Sequence, residues 1–215
     1  MRISKDNKKE KDSNSILILE EIQPDPSSRL HTLNLFGEID TEKSNEICAS
    51  LLILKETGRE EIREDPEDFQ SEVTSINYQP INFNISTYGG EALSTFAIYD
   101  TMRIIREDCE ISTLGLGKVM SAGVVLLAAG TKGKRKVGAN CRVMIHAVVG
   151  GEYGPIHKLE NEMKELQWIQ EQYSKILLAE TNITKRELKK LFDKKMNVYL
   201  TAQEALKYGI VDEIV

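Results

Sequence analysis

Short runs of apolar or alternating residues predict β-strands, and apolar residues three or four positions apart predict helices. The predicted strands are Ser15–Glu20, His31–Phe36, Pro80–Ser86, Ile111–Leu116, Arg142–His146 and Ile210–Val215. The predicted helices are Glu42–Glu56, Glu91–Arg106, Ser121–Gly130, about Ile156–Glu180, Thr184 to about Lys195 and Thr201–Gly209. Strands and helices that alternate along a chain are typical of an α/β fold with right-handed crossover connections.

Two segments lack a clear strand or helix pattern. Residues 1–15 are charged and without apolar periodicity, so we predict a mobile arm there, followed by a single domain of residues 16–215. Within the domain, Gln23–Ser28 holds two prolines and is predicted to be a turn. Residues 56–79 contain eight acidic and two basic side chains, a balance equal to the net charge of −6 of the whole chain. We interpret 56–79 as a solvated, partly mobile acidic insertion; an acidic docking surface is the alternative.

Composition limits the classes of function. With 40% hydrophobic and 29% charged residues, the chain has the composition of a globular protein, and its net negative charge argues against a nucleic-acid partner. The three cysteines lack metal-type spacing, so we predict a reducing compartment and neither a metal nor another cofactor. Residues 1–15 are too polar for a signal peptide, and no stretch reaches transmembrane length. We therefore expect no membrane association and a cytoplasmic location; an organelle matrix is the alternative.

Ser121 is the first candidate for chemistry. It opens a short apolar run that ends at Gly130, a pattern typical of a buried helix with a C-terminal glycine. Unpaired N–H groups at a helix N-terminus favour negative charge, so this is a suitable place for an acyl-transfer nucleophile. A serine before a helix is more commonly an N-cap, and both interpretations stay open at this stage.

Two further features have comparable alternatives. Gly89 and Gly90 lie between a predicted strand and a predicted helix, which indicates either a close backbone approach or an ordinary tight turn. His146 ends a predicted strand and is either a general base or a histidine satisfied within the fold. His31 and His157 belong to no motif, and we expect both on the surface.

Several ordered motifs resemble the proteolytic subunit of the ATP-dependent Clp protease, ClpP. They are the Gly89-Gly90 pair followed by AIYDTM, GKVMSAG around Ser121, AAGTKGKR from Ala128, RVMIH ending at His146, GGEYG after it, and TAQEALKYGIVDEI near the C-terminus. The resemblance is dense over residues 80–215 and looser over residues 33–56. It implies a ClpP/crotonase-like superhelical fold of repeated β-β-α units, with a protruding strand-helix handle for oligomerisation at about residues 147–180.

The resemblance also implies a serine endopeptidase. Ser121 is then the nucleophile and His146 its base, while the backbone N–H groups of Gly90 and Ala122 stabilise the oxyanion. The third catalytic position reads Asn197, where the family carries an aspartate. An asparagine can orient the imidazole but cannot stabilise the imidazolium by charge, so we expect lower activity. Asp193, about one helical turn earlier, is the alternative third residue.

The assembly implied by the resemblance is a heptameric ring, stacked in pairs around a chamber and fed with peptide substrates by an AAA+ unfoldase. The long helix at about 156–180 and the glycine-rich segment before it correspond to the part that interlocks the rings. The family's Arg-Asp pair, which helps to join two rings, reads Met196-Asn197 here. A single heptamer, or a mixed ring with a ClpP paralogue, is therefore an alternative to the tetradecamer.

Two other functions are weighed against the active peptidase. A weakly active or non-catalytic ClpP-like subunit of a mixed ring is favoured by Asn197 and disfavoured by the presence of both Ser121 and His146. A crotonase-type acyl-CoA enzyme has a similar fold and oxyanion hole, but no motif here resembles its acyl-CoA-binding signatures.

Overall fold

A mostly parallel β-sheet with helical crossovers organises residues 31–193 and 197–215, the part of the chain that the computed structural model describes. The strands are β1 (Thr32–Phe36), β2 (Arg59–Arg63), β3 (Val73–Tyr78), β4 (Ile81–Thr87), β5 (Ile111–Met120), β6 (Arg135–Val137), β7 (Arg142–Ile145), β8 (Val198–Leu200) and β9 (Glu213–Ile214). The helices are α1 (Thr41–Thr57), α2 (Ala92–Ile105), α3 (Gly123–Ala128), α4 (Ile156–Glu180), α5 (Lys185–Asp193) and α6 (Ala202–Lys207). The predicted α/β class is confirmed.

Some sequence predictions concern other residues. The arm at 1–15, the strand Ser15–Glu20 and the turn Gln23–Ser28 lie outside the described residues, as do Met196 and the end of the helix predicted to reach about Lys195.

The long strand β5 pairs with β6 along one part of its length and with β7 along another. The order is β1-β4-β5-β6-β9, with every neighbouring pair parallel. The first half of β5, at 113–115, pairs with β6, whereas its last residues, at 118–120, pair with β7. Strand β8 adds to β7 in the antiparallel direction. The carboxyl ends of β5 and β7 therefore lie side by side, and ligands of open parallel sheets bind at such ends.

The core forms because alternate residues of the strands face the helices. In β4, Ile81, Phe83 and Ile85 are fully buried, while the residues between them are half-buried or exposed. Helix α1 packs on β1, β4 and α2, and every residue of α3 is buried between the sheet and α2 and α4. A helix that is apolar on all sides requires this burial, as the sequence predicted for the run after Ser121.

Local end signals placed several helices correctly. The side chain of Asp40 accepts a hydrogen bond from Lys43 N at 2.7 Å and caps α1. Thr201 and Glu204 form a capping box at the predicted start of α6, and Thr184 exchanges the equivalent two bonds with Glu187 ahead of α5. The bounds of α4 are those predicted, because its apolar stripe repeats regularly along its whole length.

In the mostly parallel sheet, two strand boundaries were predicted wrongly, and two short strands were not predicted. The polar residues after Leu116 do not interrupt β5, which continues to Met120 because Gly117 adopts a φ of 64° and the register shifts there. The last predicted strand is reduced to Glu213–Ile214, and the strands of this sheet that the sequence did not predict are β6 and β8. Short strands such as β6, β8 and β9 depend on their neighbours in the sheet more than on their own composition.

The acidic insertion is exposed, as predicted, but it contains regular structure that was not predicted. Strands β2 and β3 form a separate antiparallel ribbon from Arg59 to Tyr78, with nearly every residue exposed. The Arg63 guanidinium closes the connecting loop by donating to the carbonyl oxygens of Phe69 and Ser71 at 3.0 and 2.9 Å. The β-prone residues among the acids, such as Ile62 and Ile76, favour this pairing.

Residues 147–155, the glycine-rich arm before α4, belong to no strand in this structure. Two expectations about histidines are also decided. His31 was predicted on the surface, but its side chain is buried, because it packs beside Gly58 and Gln79. His157 is exposed, as predicted. None of the helices in the described residues combines the length and the apolar character needed to span a bilayer.

Candidate active site

Ser121 lies in the sharp turn between β5 and α3. Its φ of 54° is in the left-handed region, a strained conformation for a residue with a side chain, and such strain is common at functional sites. Its N–H donates to the carbonyl oxygen of Met144 at 2.8 Å. The side chain of Ser121 caps no helix, since α3 begins at Gly123 and its N-cap is Ala122 without a side-chain bond. The N-cap interpretation of Ser121 is therefore wrong.

The hydroxyl of Ser121 contacts the imidazole of His146. The distance between Ser121 Oγ and His146 Nε2 is 2.6 Å. Residue 146 directly follows β7, and the register of β5 and β7 pairs Met120 with Met144. Ser121 and His146 therefore lie at the same edge of the sheet. Residues 25 positions apart in the chain thus meet because of parallel pairing and not because of local sequence.

Burial lowers the pKa of His146 from its ordinary value of 6.5. The neutral imidazole is therefore the main form at neutral pH, and a neutral ring nitrogen can accept the hydroxyl proton. The arrangement therefore places a hydroxyl in direct contact with a ring nitrogen that can accept its proton, the geometry that activation of a serine requires.

Two backbone N–H groups beside this pair have no protein acceptor within the described residues. They belong to Gly90, before α2, and Ala122, before α3. The neighbouring groups of Gly90 are used, since Ile39 N donates to Gly89 O at 2.9 Å and Glu91 N donates to Ile39 O at 2.8 Å. Unpaired N–H groups at the edge of a cavity are suitable donors for an oxyanion.

Both glycines of the pair are required by close backbone approaches, which confirms that interpretation over an ordinary turn. At Gly90, φ is 154° and a Cβ atom would lie 2.0 Å from Ile39 O. At Gly89, φ is 100° and a Cβ atom would lie 2.7 Å from Ser121 Cβ. Gly89 therefore permits the turn of Ser121, whereas Gly90 permits the parallel bridge to Ile39.

A cavity of about 450 Å³ opens where Ser121 and His146 meet. Its walls also include Gly90 and Ala122. Most of the remaining wall is apolar and comes from α2 and α4: Leu93, Phe96, Leu166, Ile169 and Tyr173. The volume and the apolar lining suit a side chain of a bound ligand, with the polar groups at the entrance.

Helix α4 forms hydrogen bonds to the backbone beside both Ser121 and His146. The Tyr173 hydroxyl donates to the carbonyl oxygen of Ser121 at 3.3 Å, and Gln170 Oε1 accepts from the N–H of Val148 at 2.6 Å. The two α4 residues are one turn apart, so they face the same side of the helix. The sequence indicated Tyr173 only as part of an apolar stripe and did not indicate Gln170, because a helical period does not show which polar atom meets which backbone.

The third position is supported by strand register and not by a contact. Strands β7 and β8 pair Ile145 with Val198. His146 follows this pair and Asn197 precedes it, so an antiparallel ladder continued by one position would set the two residues opposite each other. Within the described residues, His146 has no hydrogen bond to Asn197 or to Asp193. Asp193 ends α5 and lines a separate depression with Leu178 and Phe192. The register therefore favours Asn197 over Asp193.

In the described ranges, no three His, Cys, Asp or Glu side chains lie close enough to hold a metal ion. A comparison with models of protein families matches residues 73–215 to the Clp protease family. The match begins in β3 and extends over the strands and helices that carry Gly90, Ser121, His146 and Asn197.

Proposed function

The chain belongs to the Clp protease family, and from this premise we propose that it is a serine endopeptidase that hydrolyses unfolded polypeptides. The observation that carries the proposal is the 2.6 Å contact between Ser121 Oγ and His146 Nε2 at the mouth of an apolar cavity. The two unpaired N–H groups beside that contact support acyl transfer as the class of reaction.

In this mechanism His146 takes the proton of Ser121 as the hydroxyl oxygen attacks the carbonyl carbon of the scissile peptide. The oxyanion that forms accepts hydrogen bonds from Gly90 N–H and Ala122 N–H. His146 then gives its proton to the leaving amine, which breaks the C–N bond and leaves an acyl ester on Ser121. Water, deprotonated by His146, hydrolyses the ester and restores both residues.

We further propose that the amide oxygen of Asn197 accepts a hydrogen bond from His146 Nδ1–H when substrate is bound. Such a bond fixes the tautomer in which Nε2 is free to accept the serine proton. An amide carries no charge to stabilise the imidazolium, so catalysis is slower than with a carboxylate at this position.

The oligomeric part of the proposal is a heptameric ring in the cytoplasm, alone or stacked in pairs, which encloses the active sites and receives chains from an AAA+ unfoldase. It is supported by the exposed apolar residues of α4, where Ile156, Met163 and Trp168 are each about half exposed or more. Exposed apolar side chains clustered on a helix are one mark of a protein contact surface. The arm at 147–155 adjoins that surface, which suits a role for both in joining subunits.

A second candidate is a weakly active subunit of a mixed ring with a ClpP paralogue. The observation that favours it is the absence of a hydrogen bond from Asn197 to His146 among the described residues. The two candidates differ in whether the purified chain alone reacts at Ser121.

The test treats the purified protein with a fluorophosphonate probe and with a fluorogenic peptide that carries an apolar side chain before the cleaved bond. We expect labelling and hydrolysis in the wild type and neither in Ser121→Ala. Ser112→Ala is the matched control, because its hydroxyl bonds to Lys134 O away from the cavity. Intact rings without labelling would support the second candidate and contradict the first.

A further inference from the structure

The turn that carries Ser121 is held by hydrogen bonds from three directions. Its strained φ of 54° needs support from the surrounding structure. The N–H of Ser121 is held by Met144 O at 2.8 Å, and its carbonyl oxygen accepts from Val124 N at 3.1 Å. The third bond comes from Tyr173 on α4, a separate element of the fold.

Tyr173 is well suited to hold a permanent hydrogen bond. Its side chain is 6% exposed, and its ring packs on that of Phe192 with centroids 6.0 Å apart. Within the described residues, its hydroxyl has the Ser121 carbonyl as its sole partner, at 3.3 Å. Burial raises the pKa of Tyr173, so the hydroxyl keeps its proton and remains a donor throughout the working pH range.

The carbonyl that Tyr173 holds belongs to the same peptide group as the N–H of Ala122. A peptide group is planar, and the one between Ser121 and Ala122 is trans, so the Ser121 C=O and the Ala122 N–H point in opposite directions. A donor that fixes the oxygen on the α4 side therefore fixes the direction of the N–H on the other side. The same donor polarises the peptide group and makes the N–H a better hydrogen-bond donor.

We propose that Tyr173 is a positioning residue that aims the N–H of Ala122 at the oxyanion of the transition state. This role rests on the proposed peptidase function. Tyr173 is called a positioning residue because its hydroxyl acts through the peptide group and contacts no reacting atom. The ring of Tyr173 lines the cavity, so ring and hydroxyl have separate effects. The ring affects how well a substrate side chain binds, and the hydroxyl affects how well the transition state is stabilised.

The test variant is Tyr173→Phe, which removes the hydroxyl and keeps the ring. We expect kcat on the fluorogenic peptide to fall about three- to tenfold, the range for one neutral hydrogen bond. We expect KM to change less than about twofold, because the hydroxyl does not contribute to binding of the substrate in its ground state. Tyr99→Phe is the matched control: it loses a hydroxyl that bonds to Glu180 Oε1 at 3.0 Å, away from Ser121, and should keep the wild-type kcat.

A peptide boronate makes the test specific for the oxyanion site, because it forms a tetrahedral anion on the serine. Its affinity should fall by the same factor as kcat in Tyr173→Phe, whereas the affinity for a peptide acid that does not react should stay the same. Tyr173→Met, which lacks both ring and hydroxyl, should show a similar loss of kcat with an additional change in KM. The midpoint of thermal unfolding of each variant shows whether the fold is retained.

Each outcome decides the matter. If the wild type neither reacts with the probes nor cleaves peptide, the peptidase proposal fails and this role fails with it. If the wild type is active and Tyr173→Phe equals it in kcat and in boronate affinity, only the role of Tyr173 is overturned. If kcat, KM and the affinity for the peptide acid all change together, Tyr173 acts through packing of the cavity, and the proposal is wrong.

Discussion

Glu180, the last residue of α4, and Ser121, in the turn before α3, are both polar residues within the folded unit, but their surroundings differ. The Glu180 carboxylate is 2% exposed and accepts hydrogen bonds from Arg106 at 2.9 Å, Tyr99 at 3.0 Å and Arg103 at 3.2 Å. Its backbone oxygen accepts from Arg135 at 2.6 Å. Around Ser121, in contrast, two N–H groups have no acceptor in the described residues, and His146 has no charged partner there.

The difference separates the stable region around Glu180 from the chemical region around Ser121, for which catalysis is proposed. Burial raises the pKa of Glu180, but the hydrogen bond and charge of Arg106, with smaller contributions from Tyr99 and Lys132, outweigh burial and lower it overall. Around Glu180 the carboxylate and its cationic neighbours therefore compensate one another in the folded state itself. Beside Ser121 two N–H groups lack an acceptor in the described residues, and in the proposed mechanism the oxyanion of the transition state supplies it.

The largest expected effect is on the chemical region. His146→Ala should reduce kcat/KM by about 10⁴-fold or more, because the base and the nucleophile act as a unit. The free energy of unfolding should change little, since the imidazole has no ion pair among the described residues. Peptide hydrolysis and urea unfolding measure the two quantities, with His157→Ala, at an exposed position of α4, as the control. Activity near the wild-type level in His146→Ala would end the assignment of the base.

The next effect is on the stable region. Glu180→Ala removes the anion from a cluster of cations and should lower the free energy of unfolding by about 3–5 kcal/mol, less to the extent that solvent screens the half-exposed Arg103 and Lys132. Glu165→Ala, on the exposed side of the same helix, is the matched control. Urea unfolding measures both. A loss no larger than that of the control would show that the cluster does not stabilise the fold.

Asn197→Asp should give His146 a charged partner, as Glu180 has in the stable region. We expect kcat/KM to rise about tenfold, the difference between a charge-assisted and a neutral hydrogen bond. The rise of kcat/KM with pH, which in the wild type has its midpoint below 6.5, should move to higher pH because a carboxylate raises the pKa of the imidazole. Asp193→Asn should change neither quantity. An unchanged or lower rate in Asn197→Asp would count against the third position.

The smallest expected effect is a pH dependence of stability. A carboxylate whose pKa is lowered in the folded state contributes stability above its ordinary value of 4.5 and loses it as the pH falls from there through the lowered value. As the pH falls below 4.5, the free energy of unfolding of the wild type should therefore decrease more steeply than that of Glu180→Gln, which lacks the titrating group. Equal slopes would mean that Glu180 is not ionised differently in the two states.

Predictions that depended on neighbouring residues in the chain were the most successful. The capping residues Thr184 and Thr201 act over three positions, and the stripe of α4 repeats every few residues, so both are visible in the sequence. The β2–β3 ribbon was missed because its acidic residues hid a strand pattern that only cross-strand pairing stabilises. The burial of His31 was missed for a related reason, since no local signal shows what packs on a side chain.

The sequence by itself determined the α/β class and most of the helices, because caps and apolar periods act locally, while the candidates Gly90, Ser121 and His146 came from motifs that resemble a known family. Only the tertiary structure decided that Ser121 adopts a left-handed turn, that the Ile145–Val198 pair adjoins both His146 and Asn197, and that Tyr173 reaches the peptide between Ser121 and Ala122. The physical reason is that strand register and helix packing set distances between residues far apart in the chain. Hydrogen bonds depend on those distances to within a few tenths of an ångström, and no pattern along the chain encodes them at that precision.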